Sequence, residues 1–145
     1  MPEATKTLDE ALDFFVDNLT SPRWGTLLEL LADDAVMEFP YAPADWTRKL
    51  HGKQEIAPYL ETLKQSMRLD EVRLIATHKT ADPSVVILQA EGKGQILQTG
   101  RPIEPKYVVF LTFRDGLIVR WQDYWNPLAF LLALGATISF PNPEA

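Results

Sequence analysis

The chain has 145 residues, 46% of them hydrophobic, enough for one domain with a real core. Acidic residues outnumber basic ones by 20 to 14 and no basic stripe is present, which excludes nucleic acid as the expected partner and leaves a small organic ligand. There is no cysteine, so a disulfide framework and thiolate metal sites are excluded. The N-terminus, Met1 to Lys6, lacks a leader pattern, and no apolar run approaches the roughly 20 residues that span a bilayer. The expectation is a cytoplasmic protein with no membrane contact.

Thr7 to Glu10 has capping-box spacing, and Leu8, Ala11, Leu12, Phe15, Val16 and Leu19 follow along one helical face. Ser21-Pro22 reads as the cap and first position of a second helix, with Trp24, Leu27, Leu28 and Leu31 inward and Asp33-Asp34 beyond it. Ala35 to Phe39 is a short strand with Met37 and Phe39 on one face, ended by Pro40. Tyr41 to Gly52 shows no steady period and reads as a loop whose Trp46 either covers a pocket or plugs onto the surface. Lys53 to Arg68 is the third helix, regular from near Glu55 because Pro58 fits only close to a helix start. Tyr59 faces inward, and its hydroxyl needs a partner when buried, with Asp123 one candidate.

Four strands joined by short turns follow, over Glu71 to Thr80, Ser84 to Gln98, Pro105 to Arg114 and Leu117 to Asn126. Gly92 and Gly94 interrupt the second of them, which predicts a bulge or sharp coil and a strongly curved antiparallel sheet. Both faces carry apolar residues: Tyr107, Val109, Leu111 and Phe113 on one side, Val108 and Phe110 on the other. Three helices cover only the concave side, so the outer face predicts a homodimer. His51 and His78 have no partner at ligand spacing, and no metal site is expected.

Asp115-Gly116 is a type I′ hairpin signal, and on the strand after it Val119, Trp121, Asp123 and Trp125 share a face. A carboxyl between indoles is poorly solvated, which raises its pKa. Asp123 is therefore a candidate proton carrier or, alternatively, a structural acceptor. Asn126 then caps a short apolar helix from Pro127 that stops at Gly135.

This order of elements resembles the cone-shaped, cystatin-like fold of the nuclear-transport-factor-2-like superfamily, an α+β fold with three N-terminal helices in the concavity of the sheet and a short C-terminal helix. Leu31-Ala-Asp-Asp-Ala35, His51-Gly-Lys-Gln-Glu-Ile56 and Asp115 to Pro127 are similar to the SnoaL-like branch, across almost the whole of residues 1–145. Ala81-Asp-Pro83 and Glu91-Gly-Lys-Gly-Gln-Ile96 resemble the phenazine-biosynthesis A/B proteins.

The resemblance implies a homodimeric cone with a ligand pocket in each subunit and no cofactor. It places Asp123 where SnoaL-like cyclases, phenazine proteins and limonene-epoxide-hydrolase-like enzymes carry an acidic residue. Tyr59 falls where the phenazine proteins have a histidine, and a phenol there is not cationic near neutrality. The epoxide-hydrolase aspartate and arginine fall on Gly92 and Ala90, and the ketosteroid-isomerase base falls on Phe39, so both routes are missing their residues. What is left is a catalytic pair, Asp123 and Tyr59, in a pocket walled by Met37, Phe39, Tyr107, Val109, Leu111, Trp121 and Trp46. Such a lining suits a flat, mostly apolar or aromatic molecule. The expected activity is acid/base proton transfer in an isomerisation, cyclisation or condensation; the alternative is a dimeric binding or carrier protein using the same pocket.

Overall fold

The computed structural model describes residues 6–142; most of the N-terminal segment examined for a leader lies outside that range. Helix α1 (Leu8–Asp17) opens with Thr7, whose hydroxyl accepts from the Glu10 N–H at 3.2 Å, and it buries Ala11, Leu12 and Phe15. The second helical stretch is broken into a 3₁₀ turn (Ser21–Arg23), a single turn α2 (Trp24–Leu27) and another 3₁₀ turn (Leu28–Leu30). Ser21 is not the cap expected of it. Its hydroxyl accepts from the Leu69 N–H at 3.2 Å and donates to the Leu69 carbonyl at 3.4 Å. Leu69 lies on an edge strand, so this one side chain stands in for the neighbouring strand that those two backbone groups lack.

The strands are β1 (Leu31–Glu38), β2 (Lys49–His51), β3 (Met67–Lys79), β4 (Val85–Ile96), β5 (Pro102–Ile103), β6 (Lys106–Arg114) and β7 (Leu117–Trp125). Their order is β2-β1-β7-β6-β4-β3, with β5 added to β4. The long meander is antiparallel as expected, but β1 runs parallel to β7, so the sheet is mixed. Three boundaries also differ from the sequence reading. β1 begins at Leu31 rather than Ala35. β2 lies within the stretch read as loop, because one apolar residue between Lys49 and His51 is too short a pattern to show a period. Helix α3 (Lys53–Ser66) gives way to β3 at Met67, four residues before the expected strand start. Helix α3 is regular from Lys53, not from near Glu55, and carries Pro58 as its sixth residue, where the Gln54 carbonyl goes without its intrahelical donor.

Among the described residues the register shifts at four places, twice in β3/β4 (again between Leu74 and Ala76) and once each in β6/β7 and β1/β7, and such shifts bend a sheet. At β3/β4 the register shifts between Leu69 and Glu71, opposite Gly94 and Lys93. There the Arg68 carbonyl lies so close to Gly94 that a Cβ would collide with it, and a Cβ on Gly92 would come within 2.8 Å of the Leu69 side chain. At β6/β7 the hairpin turns through Asp115 (φ 53°) and Gly116 (φ 76°), as a type I′ turn requires. The pairing then skips from Phe113–Ile118 to Thr112–Arg120. The extra residue is Val119. This bulge moves Ile118 to the inner side with Trp121 and leaves Val119 only half-buried, correcting the unbroken alternation read from the sequence. The sheet curls far enough that α3 packs on β1 and β2 at one edge and on β3 at the other. Helix α4 (Pro127–Ala133), capped by Asn126, follows β7 and packs against β5. Among the described residues no helix is long and apolar enough to cross a membrane.

Candidate active site

The cone encloses a cavity of about 310 Å³ between the helices and the inner face of the sheet. β7 contributes Trp121, Asp123 and Trp125, which face Leu111, Val109 and Tyr107 of β6 across the ladder. Tyr107 is thus the diagonal neighbour of Asp123, within reach for a long side chain. Tyr59 enters from α3 with its ring 5.3 Å from that of Phe39. Phe15 of α1 meets Trp121 edge to face at 5.0 Å. Trp46, 37% exposed, stacks on Trp125 at 5.9 Å and 27°, and Trp125 in turn meets Phe130 of α4 at 4.9 Å. That aromatic row closes one end, while Ser66 and Gln98, both exposed, lie at the rim.

Asp123 is the only Asp, Glu, Lys, Arg or His among the described residues that line this cavity. Its Oδ1 is buried with no hydrogen-bond partner. Burial raises its carboxyl from 3.8 to about 7, and the neighbouring Trp121 indole N–H offsets part of the rise. That pair nevertheless falls outside hydrogen-bond geometry, and the indole Nε1 is also left without a partner. Burial, reinforced by Asp123, pushes the Tyr59 phenol up to about 12. Burial, then Asp123, then Tyr59 raise Tyr107 further. Both phenols therefore stay protonated donors across the physiological range, beside a carboxyl that changes charge within it.

The residues expected at the site fall together with one exception. Asp123, Tyr59, Met37, Phe39, Tyr107, Val109, Trp121 and Trp46 all line the cavity. Leu111 does not: fully buried, it belongs to the hydrophobic core. Tyr59 and Asp123 interact electrostatically, but no hydrogen bond joins them among the described residues, so the candidate partner for the Tyr59 hydroxyl is not its partner here. Trp125 and Phe130 were missed as wall residues, although Trp125 shares the Asp123 face and Phe130 lies in the apolar C-terminal helix. Phe15 and Trp24 were missed because a helical stripe reads as core whether or not a void lies beyond it. Among the described residues no cluster of three metal-ligating side chains exists.

Comparison with known proteins agrees with this architecture. The chain is 35% identical over 109 residues to the uncharacterised protein YesE of Bacillus subtilis, covering 75% of this chain and 74% of that one. To an uncharacterised PhzA/B-like protein of Pseudomonas aeruginosa it is 33% identical over 109 residues, covering 74% and 75%. Among solved structures, a Bacillus subtilis protein provisionally named an isomerase superposes with a TM-score of 0.76 at 31% identity, over 93% of this chain and 94% of that one. The model of the SnoaL-like domain matches residues 12–121, ending two residues short of Asp123. The chain belongs to the SnoaL-like domain family, in the branch that includes PhzA/B-like proteins.

Proposed function

We propose that this protein is a cofactor-independent small-molecule enzyme in which Asp123 carries a proton to or from a carbon beside a carbonyl or imine. The observation that supports this most directly is the lone carboxyl in an aromatic cavity, buried, unpartnered and raised to about 7. A group with that pKa is available as both acid and base near neutrality, and one such group contributes typically about 10²- to 10⁴-fold. Tyr59 and Tyr107 donate hydrogen bonds to the oxygen or nitrogen on which charge develops. Isomerisation, cyclisation and condensation all begin with such a proton transfer.

The test is deuterium exchange at the activated carbon of cyclic ketones and imines, followed by NMR in the presence of the wild type and of Asp123→Asn. Accelerated exchange that the variant loses, with affinity kept within a few-fold, is the expected result. Equal exchange rates in both proteins, with ligand still bound, would establish the carrier alternative instead.

We also propose that two copies pair through the outer sheet face and that the protein works in the cytoplasm. Tyr41 (60% exposed), Ile75 (48%) and Val108 (36%) support the first point, being apolar side chains on a groove that also holds Tyr124. The absence of cysteine is consistent with the second.

A further inference from the structure

We infer that the cavity selects ring compounds carrying a basic nitrogen and rejects ligands bearing a carboxylate or phosphate. This rests on the reading that the cavity is the ligand site, and not on proton transfer taking place there. The argument is an inventory of charge. Of the side chains lining the cavity, those of α1, α2, α3, β1, β3, β4, β6 and α4 supply no Lys, Arg, His, Asp or Glu among the described residues, and β7 supplies Asp123 alone. An acidic ligand would be stripped of water, placed beside a carboxyl and offered no countercharge; the two phenols and the Trp121 indole N–H are neutral donors, which do not offset the burial of a second negative charge.

A protonated amine meets the reverse situation. It brings the missing partner to a buried, unpaired Oδ1. The cavity that holds this carboxyl is also lined by Trp121, Tyr59, Tyr107, Trp125, Phe15 and Phe39, and aromatic rings attract cations through their faces. The titratable groups bearing on Asp123 are the two phenols, Tyr59 from α3 and Tyr107 from β6, which stay protonated and bring no charge of their own. Amine binding therefore needs the ionised form of Asp123 and weakens where that form is scarce.

One series on the wild-type protein decides the matter: naphthylmethylamine, naphthylmethanol and naphthoate, matched in ring and differing in charge, titrated against the intrinsic fluorescence of the cavity tryptophans. At about pH 8 the amine should bind at least about tenfold more tightly than the alcohol, and naphthoate should not bind measurably. Between about pH 5 and 8 the affinity for the amine should rise at least about tenfold while that for the alcohol stays flat. In Asp123→Asn the preference for the amine and its pH dependence should both vanish with alcohol binding retained. Naphthoate binding as well as the amine, an amine affinity that ignores pH, or no binding by any of the three would overturn the inference. The outcomes are separable from those of the exchange test: loss of exchange activity with this binding pattern intact overturns proton transfer alone, and exchange on uncharged ketones with no amine preference overturns only the ligand class.

Discussion

Trp121 and Asp123 stand two residues apart on the inner face of β7, and the indole Nε1 of one and the carboxyl Oδ1 of the other are both buried without a hydrogen bond. A donor and an acceptor left open side by side in a cavity each cost about 1–3 kcal/mol of stability. The arrangement is retained at the expense of stability, as sites prepared for a ligand commonly are.

That cost makes stability depend on pH in a direction opposite to most carboxylates. With a pKa near 7 folded against 3.8 unfolded, Asp123 binds its proton more tightly in the native state. Its ionisation contributes no penalty below about pH 4, destabilises progressively from about pH 4 to 7, and costs its full amount above that, no more than about 4 kcal/mol. Asp123→Asn should therefore be more stable than the wild type at about pH 8, with the difference shrinking toward about pH 4. Urea unfolding of both proteins across that range measures it; a constant difference would mean the carboxyl is not shifted.

Ser21→Ala removes one hydroxyl and leaves two backbone groups of Leu69 unpaired at the sheet edge. A loss of about 2 kcal/mol is expected, larger than for an exposed serine. Chemical denaturation gives the value, and faster amide exchange at Leu69 should accompany it.

Gly94→Ala should destabilise by more than about 3 kcal/mol or prevent folding, since the added methyl meets the backbone carbonyl of Arg68 rather than a movable side chain. Gly25, where nothing lies within 4 Å, is the control, and alanine there should change the midpoint of unfolding only slightly.

Trp46→Ala takes away the outer ring of the aromatic row and opens that end of the cavity. Because the residue is partly exposed and sits on a loop, stability should fall by no more than about 1 kcal/mol, while ligand release accelerates about tenfold or more. Stopped-flow fluorescence with the bound probe reads the release rate directly.

For the outer face, Val108→Glu places a charge among Tyr41, Ile75 and Tyr124. Sedimentation velocity should show a dimer for the wild type and a monomer for the variant. A monomeric wild type would remove the pairing proposal without touching the cavity.

Much of the fold was legible residue by residue. The Thr7 and Asn126 caps and the Asp115-Gly116 turn are local rules, satisfied within a few residues of chain, and the structure obeys them. Helix and strand ends were less legible: α3 and β3 meet at Met67 because long-range pairing with Ile96 wins over a helical pattern that could have continued. The candidate site was readable to the extent that it lies on one strand. Asp123, Trp121 and Trp125 share a face by alternation alone, and the bulge at Val119 lies before them and leaves that relationship intact.

What the sequence determined by itself is therefore the order of elements, their caps and turns, and the single acidic residue on an apolar strand face. Only the tertiary structure decided that Tyr59 and Tyr107 bear on that carboxyl, that Leu111 is core and not wall, that Ser21 completes an edge strand, and that Trp46 stacks on Trp125 at the cavity wall. The physical reason is that these depend on where curvature brings distant residues, and curvature arises from several register shifts along the sheet whose combined effect no local pattern records.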